Sequence, residues 1–342
     1  MKKSLVALGI LGAFAGTAFA QSATLYGTLD VGYGIGNDGI YEGSSGNQSK
    51  FQQWGNAKTT SVWGLMGSED LGNGLKAYFH LESEISPEDG STGDGLFDRA
   101  AYVGLTGGFG SIQAGRQSTV SSNIMSEFDV SGAPGLTSSL GNAAVSGDAQ
   151  RFGADTYDHI DSALVYISPE FSGFQFQAGL VLKNDDVLGA GAFGLDSKNL
   201  YTLGATYNYG GLTVGAVFES KPVSISGVSS SWGLGAKYDF GSFLISASYF
   251  DNHLKTDGRG FSLGIAAPFD AFTLGAQVAY NTKAYDLAGD KVKPLAWELF
   301  ATYDLSKRTQ LYIQYGGMDS DAKDFNGAER KYSAAFGLIH SF

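Results

Sequence analysis

The last segment of the chain, KYSAAFGLIHSF, alternates: from Tyr332 every second residue (Ala334, Phe336, Leu338, His340, Phe342) falls on one face. Ser333, Ala335, Gly337 and Ser341 largely occupy the other. Period two is the side-chain period of a β-strand, and an apolar face backed by small or polar residues suits a wall between hydrocarbon and water. The same pattern recurs along the chain. Leu25, Leu29, Val31 and Tyr33 alternate with Tyr26, Thr28 and Asp30; Phe174, Phe176, Ala178, Leu180 and Leu182 alternate with Gln175, Gln177 and Lys183. Leu212, Val214, Ala216 and Phe218 oppose Thr213 and Glu219; Trp232, Leu234, Ala236, Tyr238 and Phe240 oppose Lys237 and Asp239. Trp297, Leu299, Ala301, Tyr303 and Leu305 oppose Glu298, Thr302 and Asp304. Every charged residue in these segments belongs to the polar set. A Lys or Arg facing lipid near the midplane costs about 2–4 kcal/mol, enough to select against it.

Sixteen such segments are predicted as strands: 24–35, 59–68, 74–86, 98–106, 110–117, 159–168, 174–183, 199–209, 211–220, 230–240, 242–251, 259–268, 271–282, 295–305, 308–318 and 331–342. Their connections alternate between short turns (Gly210-Gly211, Gly241-Ser242, Asp270-Ala271) and longer polar loops such as 184–198 and 319–330. An even strand count with one short-turn end and one long-loop end predicts an all-β fold, a 16-stranded antiparallel transmembrane β-barrel. At this size a barrel leaves an aqueous channel. One connection is out of scale: residues 117–158 carry little alternation, and loops of that length are usually functional. Projecting outward it would decorate the surface; folded inward it would narrow the lumen. The pattern leaves both open.

The first twenty residues read differently. Lys2 and Lys3 precede an apolar stretch from Leu5 to Gly16, and Ala18-Phe19-Ala20 has the small-x-small form of a cleavage site. Residues 1–20 are therefore expected to be a secretory signal and 21–342 the mature barrel. The apolar stretch falls short of the roughly 20 residues a spanning helix needs. No later segment approaches 18 consecutive apolar residues, yet the chain is 43% hydrophobic and 13% aromatic. Such a chain crosses a membrane only as a closed barrel, where every backbone group is paired. A soluble sandwich would also alternate, but it tolerates short strands and uneven turns.

Composition narrows the chemistry. With 50 Gly, 18 Tyr and 23 Phe against 6 Pro, the chain has material for tight turns, aromatic girdles and unbroken strands. It has no Cys, which excludes disulfides, thiolate catalysis and thiolate metal sites. Without the leader's two lysines, 20 basic residues face 34 acidic ones, so nucleic-acid binding is not expected. Gly260-Phe261-Ser262-Leu263-Gly264 matches a nucleophile pattern that needs a strand–turn–helix elbow, but here the serine lies within continuous alternation. His80, His159, His253 and His340 lack metal-ligand spacing, and no metal or cofactor is expected. Glu82 and Glu84 share a face and read as acids lining water rather than an acid/base pair.

TTSVWGLMGSEDLGNGLKAYFHLES (59–83), GLFDRAAYVGLTGGFGSIQAGRQ (95–117) and DSALVYISPEFSGFQFQAG (161–179) resemble successive blocks of the general trimeric porins of beta-proteobacteria, and the similarity runs from the leader to Phe342. The resemblance implies an outer-membrane homotrimer of 16-stranded barrels, each with its third loop folded into the channel. It also implies contact with outer-membrane lipid and lipopolysaccharide, and passage of ions and small hydrophilic solutes. In that family basic wall residues face acids on the third loop. Arg99, Arg116 and Arg151 match the basic positions, and Glu127 and Asp129 the acidic region. Parity places Arg99 with Val103 and Leu105, and Arg116 with Ile112 and Ala114, so each needs a bulge or strand end to face the lumen. Val62, Met66 and Val165 stand where the family often has basic residues, while Asp30, Lys76, Glu82, Glu84, Glu219 and Glu298 fall in lumen sets. The expectation is weak selectivity leaning cationic. The competing readings are a substrate-selective channel for a small metabolite or sugar, and a closed-barrel enzyme or adhesin.

Overall fold

The structure, a computed structural model, describes residues 22–35, 52–55, 58–93, 95–131, 159–182, 199–220, 230–251, 259–285, 290–325 and 331–342. Their strands are β1 Ser22–Ile35, β2 Gln52–Gly55, β3 Val62–Gly72, β4 Leu75–Glu84, β5 Ala100–Gly107, β6 Gly110–Ser118, β7 His159–Ile167, β8 Phe174–Val181 and β9 Leu200–Tyr209. The second half comprises β10 Leu212–Glu219, β11 Ser231–Asp239, β12 Leu244–Asp251, β13 Arg259–Phe269, β14 Phe272–Tyr285, β15 Lys291–Val292, β16 Leu295–Ser306, β17 Thr309–Met318 and β18 Tyr332–Ser341. Each long strand pairs antiparallel with its neighbour in sequence, and β1 pairs with both β3 and β18, which closes the ring. Sixteen long strands form the barrel. β2 and β15 are short ladders against β1 and β14 that the sequence pattern did not indicate, being four and two residues long.

The outward set holds exposed Leu25, Val103, Leu203, Leu234, Leu263 and Ile313, the face that meets hydrocarbon. The inward set is largely polar or small, with an apolar patch where Ile160, Val165, Leu200 and Val217 meet the third loop. Turn chemistry fixes register at the short-turn end. At the β3–β4 hairpin, Asn73 and Gly74 take φ values of 53° and 77°, the two left-handed residues of a type I′ turn, with Gly72 opposite Leu75. No helix among the described residues is long and apolar enough to cross a membrane.

After β6 the chain turns inward. Thr119 accepts a hydrogen bond from the Ser122 amide at 3.1 Å and caps a short helix, Val120–Met125, which continues into a single 3-10 turn, Ser126–Phe128. Val120, Ile124, Met125 and Phe128 are buried in one cluster with Ile160, Ala163, Val165, Leu200 and Val217 on the inner wall. The described part of the third loop therefore lies inside the barrel, as the resemblance implied. An amphipathic segment with four large apolar residues cannot stand free in a water-filled lumen; burial against the wall is what holds it.

Candidate functional site

Hydrogen bonds fix the loop from two sides of the lumen. Lys237, on β11, donates to the Glu127 carboxylate at 2.9 Å and to the Glu127 carbonyl at 3.0 Å. Ser246, on β12, donates to the Phe128 carbonyl at 2.5 Å. From the far side, the Lys58 ammonium donates to the Ser131 carbonyl at 3.0 Å. Asp129 turns back on its own loop, accepting from the Ser131 amide at 2.8 Å and its hydroxyl at 2.7 Å. The side chain of Glu127 remains 36% exposed, so this acid of the loop meets both the wall and the lumen.

Seven strands round the barrel, β4 carries a second charged group. Arg99 donates to Glu82 at 2.9 Å, and the other Glu82 oxygen accepts from the Tyr26 hydroxyl at 2.6 Å. Tyr26 also bonds His80, whose second ring nitrogen lies 3.1 Å from the Tyr102 hydroxyl. Arg99 reaches this inward cluster by the strand-end route: β5 begins only at Ala100, and Phe97 just before it has a φ of 86°.

Arg116 does not join them. The β6–β7 register shifts between Gly115 and Gln117, with Gly115 at a φ of 134°, yet Arg116 stays opposite Ala101. Its guanidinium bonds the Asp98 carbonyl and, at 2.7 Å, the Asp161 carboxylate. The register shift that parity asked for is present, and these contacts tie Arg116 to Asp98 and Asp161. Arg151 lies outside the described residues.

Three acids of the lumen sets face inward without facing water. Asp30, Glu219 and Glu298 are 0%, 1% and 0% exposed. Asp30 accepts from the Lys58 and Thr59 amides, both at 2.6 Å, and from the Tyr312 hydroxyl at 2.7 Å. Glu298 accepts from Gln314 at 2.6 Å and Gln277 at 3.1 Å. Glu219 has one carboxylate oxygen buried with no hydrogen-bond partner among the described residues. Parity speaks to the face of a strand and not to depth, and all three acids are buried. Glu84 ends β4, with its amide on Asp98, and Lys76 stands in register with Asp70 and Thr106 near the short-turn end.

Sequence reasoning did not single out Lys237 as the partner of the loop acid, although its lumen parity was legible. It did not indicate the contacts of Lys58, Tyr26 and Tyr312, which depend on pairings between segments far apart in sequence. The nucleophile-like Ser262 lies in mid-strand β13 with its hydroxyl 2.5 Å from that of Ser248, and no elbow is formed.

The sequence matches the family described as Gram-negative porin over residues 5–323. The chain belongs to that family. An outer membrane porin of Bordetella pertussis is 32% identical over 66% of this porin and 58% of its own length. Outer membrane porin protein 32 of Delftia acidovorans is 31% identical over 67% of this porin and 63% of its own length. The matched segments thus span about three-fifths of these relatives. A solved structure described as an anion-selective porin from Comamonas acidovorans superposes with a TM-score of 0.69, covering 94% of this porin and all of that chain, at 22% identity. That likeness is one of fold. Family and barrel together place the porin in the outer membrane.

Proposed function

We propose that this porin is a passive channel for ions and small hydrophilic solutes, working as a homotrimer after a leader of residues 1–20 is removed. The observation that carries the reading is the Lys237–Glu127 pair, which joins the wall of a 16-stranded barrel to a loop folded into its lumen. Passage past such a site needs no covalent chemistry: aperture and field do the sorting. Selectivity is weak with a slight cation lean. The mature chain is acidic, but Asp30, Glu219 and Glu298 are shielded, and the basic residues at the constriction have acid partners in Arg99–Glu82 and Lys237–Glu127. The anion selectivity in the Comamonas porin's description is not carried over, because Val62, Met66 and Val165 stand where the family often has basic residues.

The test is the zero-current potential of the refolded protein in a planar bilayer across a KCl gradient. A potassium-to-chloride permeability ratio of about 1 to 3, in triplet conductance steps, is the expected result. Strong anion preference would show that the arginines dominate; a folded barrel that does not conduct would overturn the channel reading.

A further inference from the structure

The inner wall beneath the loop is lined by glycine: Gly179 on β8, Gly204 on β9, Gly215 on β10, Gly235 on β11 and Gly264 on β13. All lie on the inward set, alternating with outward Ala178, Leu203, Ala216, Leu234 and Leu263. Gly215 and Gly235 are direct cross-strand partners, Gly204 stands opposite Val217, and Gly264 stands opposite the same Ser246 that holds the Phe128 carbonyl. None of the five has a φ in the left-handed range, so the backbone does not call for glycine. Space does. A Cβ at Gly179 would come within 3.3 Å of Val120, at Gly215 within 2.8 Å of Phe128 and 2.9 Å of Ile124, and at Gly264 within 2.5 Å of Val130. At Gly204 it would fall inside the Ile124 side chain, and at Gly235 inside the Phe128 ring. Glycine in a strand interior costs stability and packs nothing of its own, so four on consecutive strands, β8 to β11, with a fifth on β13 need a reason of this kind.

We propose that this glycine track is the aperture-setting element of the channel: four apolar side chains of the loop, Val120, Ile124, Phe128 and Val130, seat in sockets where the wall lacks Cβ atoms, and socket depth fixes how far the loop stands into the lumen. The five glycines are positioning residues for permeation. They do not touch the solute; they set how far Glu127 stands from the wall. The inference rests on the channel reading, and it concerns size exclusion where the paired charges concern ion preference. A methyl group at Gly235 lifts the Phe128 ring, and with it the adjoining Glu127, off the wall and toward the channel axis.

The experiment is single-channel conductance of Gly235→Ala in planar bilayers, together with liposome swelling rates for sugars of increasing size, on protein whose folding is verified by its heat-modifiable gel mobility. The expected result is conductance lowered about twofold and a smaller size limit, because current through a constriction follows its open area. Adding Phe128→Ala to Gly235→Ala should restore both, since the removed ring makes room for the methyl. Unchanged conductance in a folded Gly235→Ala barrel overturns the proposal, as does a loss that Phe128→Ala does not rescue. Should Gly235→Ala not assemble, the pair Gly264→Ala and Gly264→Ala with Val130→Ala puts the same question to the next socket, with the same expected and overturning results. Failure of the channel reading looks different, because wild-type protein would then not conduct at all.

Discussion

Asp30→Ala is expected to destabilise the barrel by about 3–5 kcal/mol, the range for removing one member of a buried charged network. Three donors converge on this carboxylate: the amides of Lys58 and Thr59 and the Tyr312 hydroxyl, all within 2.7 Å. Each buried donor left without an acceptor costs about 1–3 kcal/mol, and a water from the lumen can recover part of it. The two sides of Asp30 do different jobs. On one, it satisfies backbone amides where the ladder breaks between β2 and β3. On the other, the Tyr312 ring reaches from β17 across β18 to β1, passing over Gly337, which is in register with both Tyr312 and Gly32. A Cβ at Gly337 would sit 2.5 Å from the Gly32 Cα and 2.6 Å from the Tyr312 ring, so the crossing exists only because that position has no side chain. Asp30 thus adds a side-chain clamp to the β1–β18 ladder at the seam where the first and last strands meet. Tyr312→Phe, which removes one donor and leaves the amides satisfied, should cost only about 1 kcal/mol. Urea unfolding followed by loss of heat-modifiable mobility ranks the variants; an Asp30→Ala barrel as stable as Tyr312→Phe would show that the amides find other partners.

The contrast between Asp30 and the strands around it shows what a sequence of this type makes legible. The observed strand ends fall close to those predicted, since a one-residue slip would turn a whole apolar face toward water and a charged one toward lipid. β2 and β15 were invisible because four and two residues are too few to establish a period. The direction of the third loop could not be read from its own residues, because the information lies in the wall. Gly204, Gly215 and Gly235 look like weak points in their strands until Ile124 and Phe128 are placed against them. Parity spoke only to the face that Asp30, Glu219 and Glu298 share; whether such an acid sees ions depends on what covers it, and the contacts that bury Asp30 join residues distant in sequence. Arg116 had the required bulge beside it, but its pairing with Asp161 on the next strand could not be read from its own segment.

Removing one charge at a time from the Lys237–Glu127 pair is expected to move ion preference in opposite directions. At 2.9 Å the two charges nearly cancel for an ion passing at a distance, so the intact pair contributes little net field. Glu127→Gln leaves the Lys237 ammonium unbalanced and Lys237→Gln leaves the Glu127 carboxylate unbalanced. A unit charge acts on an ion 8 Å away with about 0.5 kcal/mol even at the dielectric of bulk water. Cations and anions respond with opposite sign, so the permeability ratio moves by about 1 kcal/mol, roughly fivefold, toward chloride in the first variant and toward potassium in the second. That distance is close to the Debye length at physiological ionic strength, so the effect should shrink in molar KCl and be largest in dilute salt. The double variant, Lys237→Gln with Glu127→Gln, restores neutrality and should return the zero-current potential close to wild type, separating field from any displacement of the loop. If both single variants moved the potential in the same direction, the shift would have to come from a change of aperture, and the seating of Phe128 rather than the charge of Glu127 would be the property that Lys237 controls.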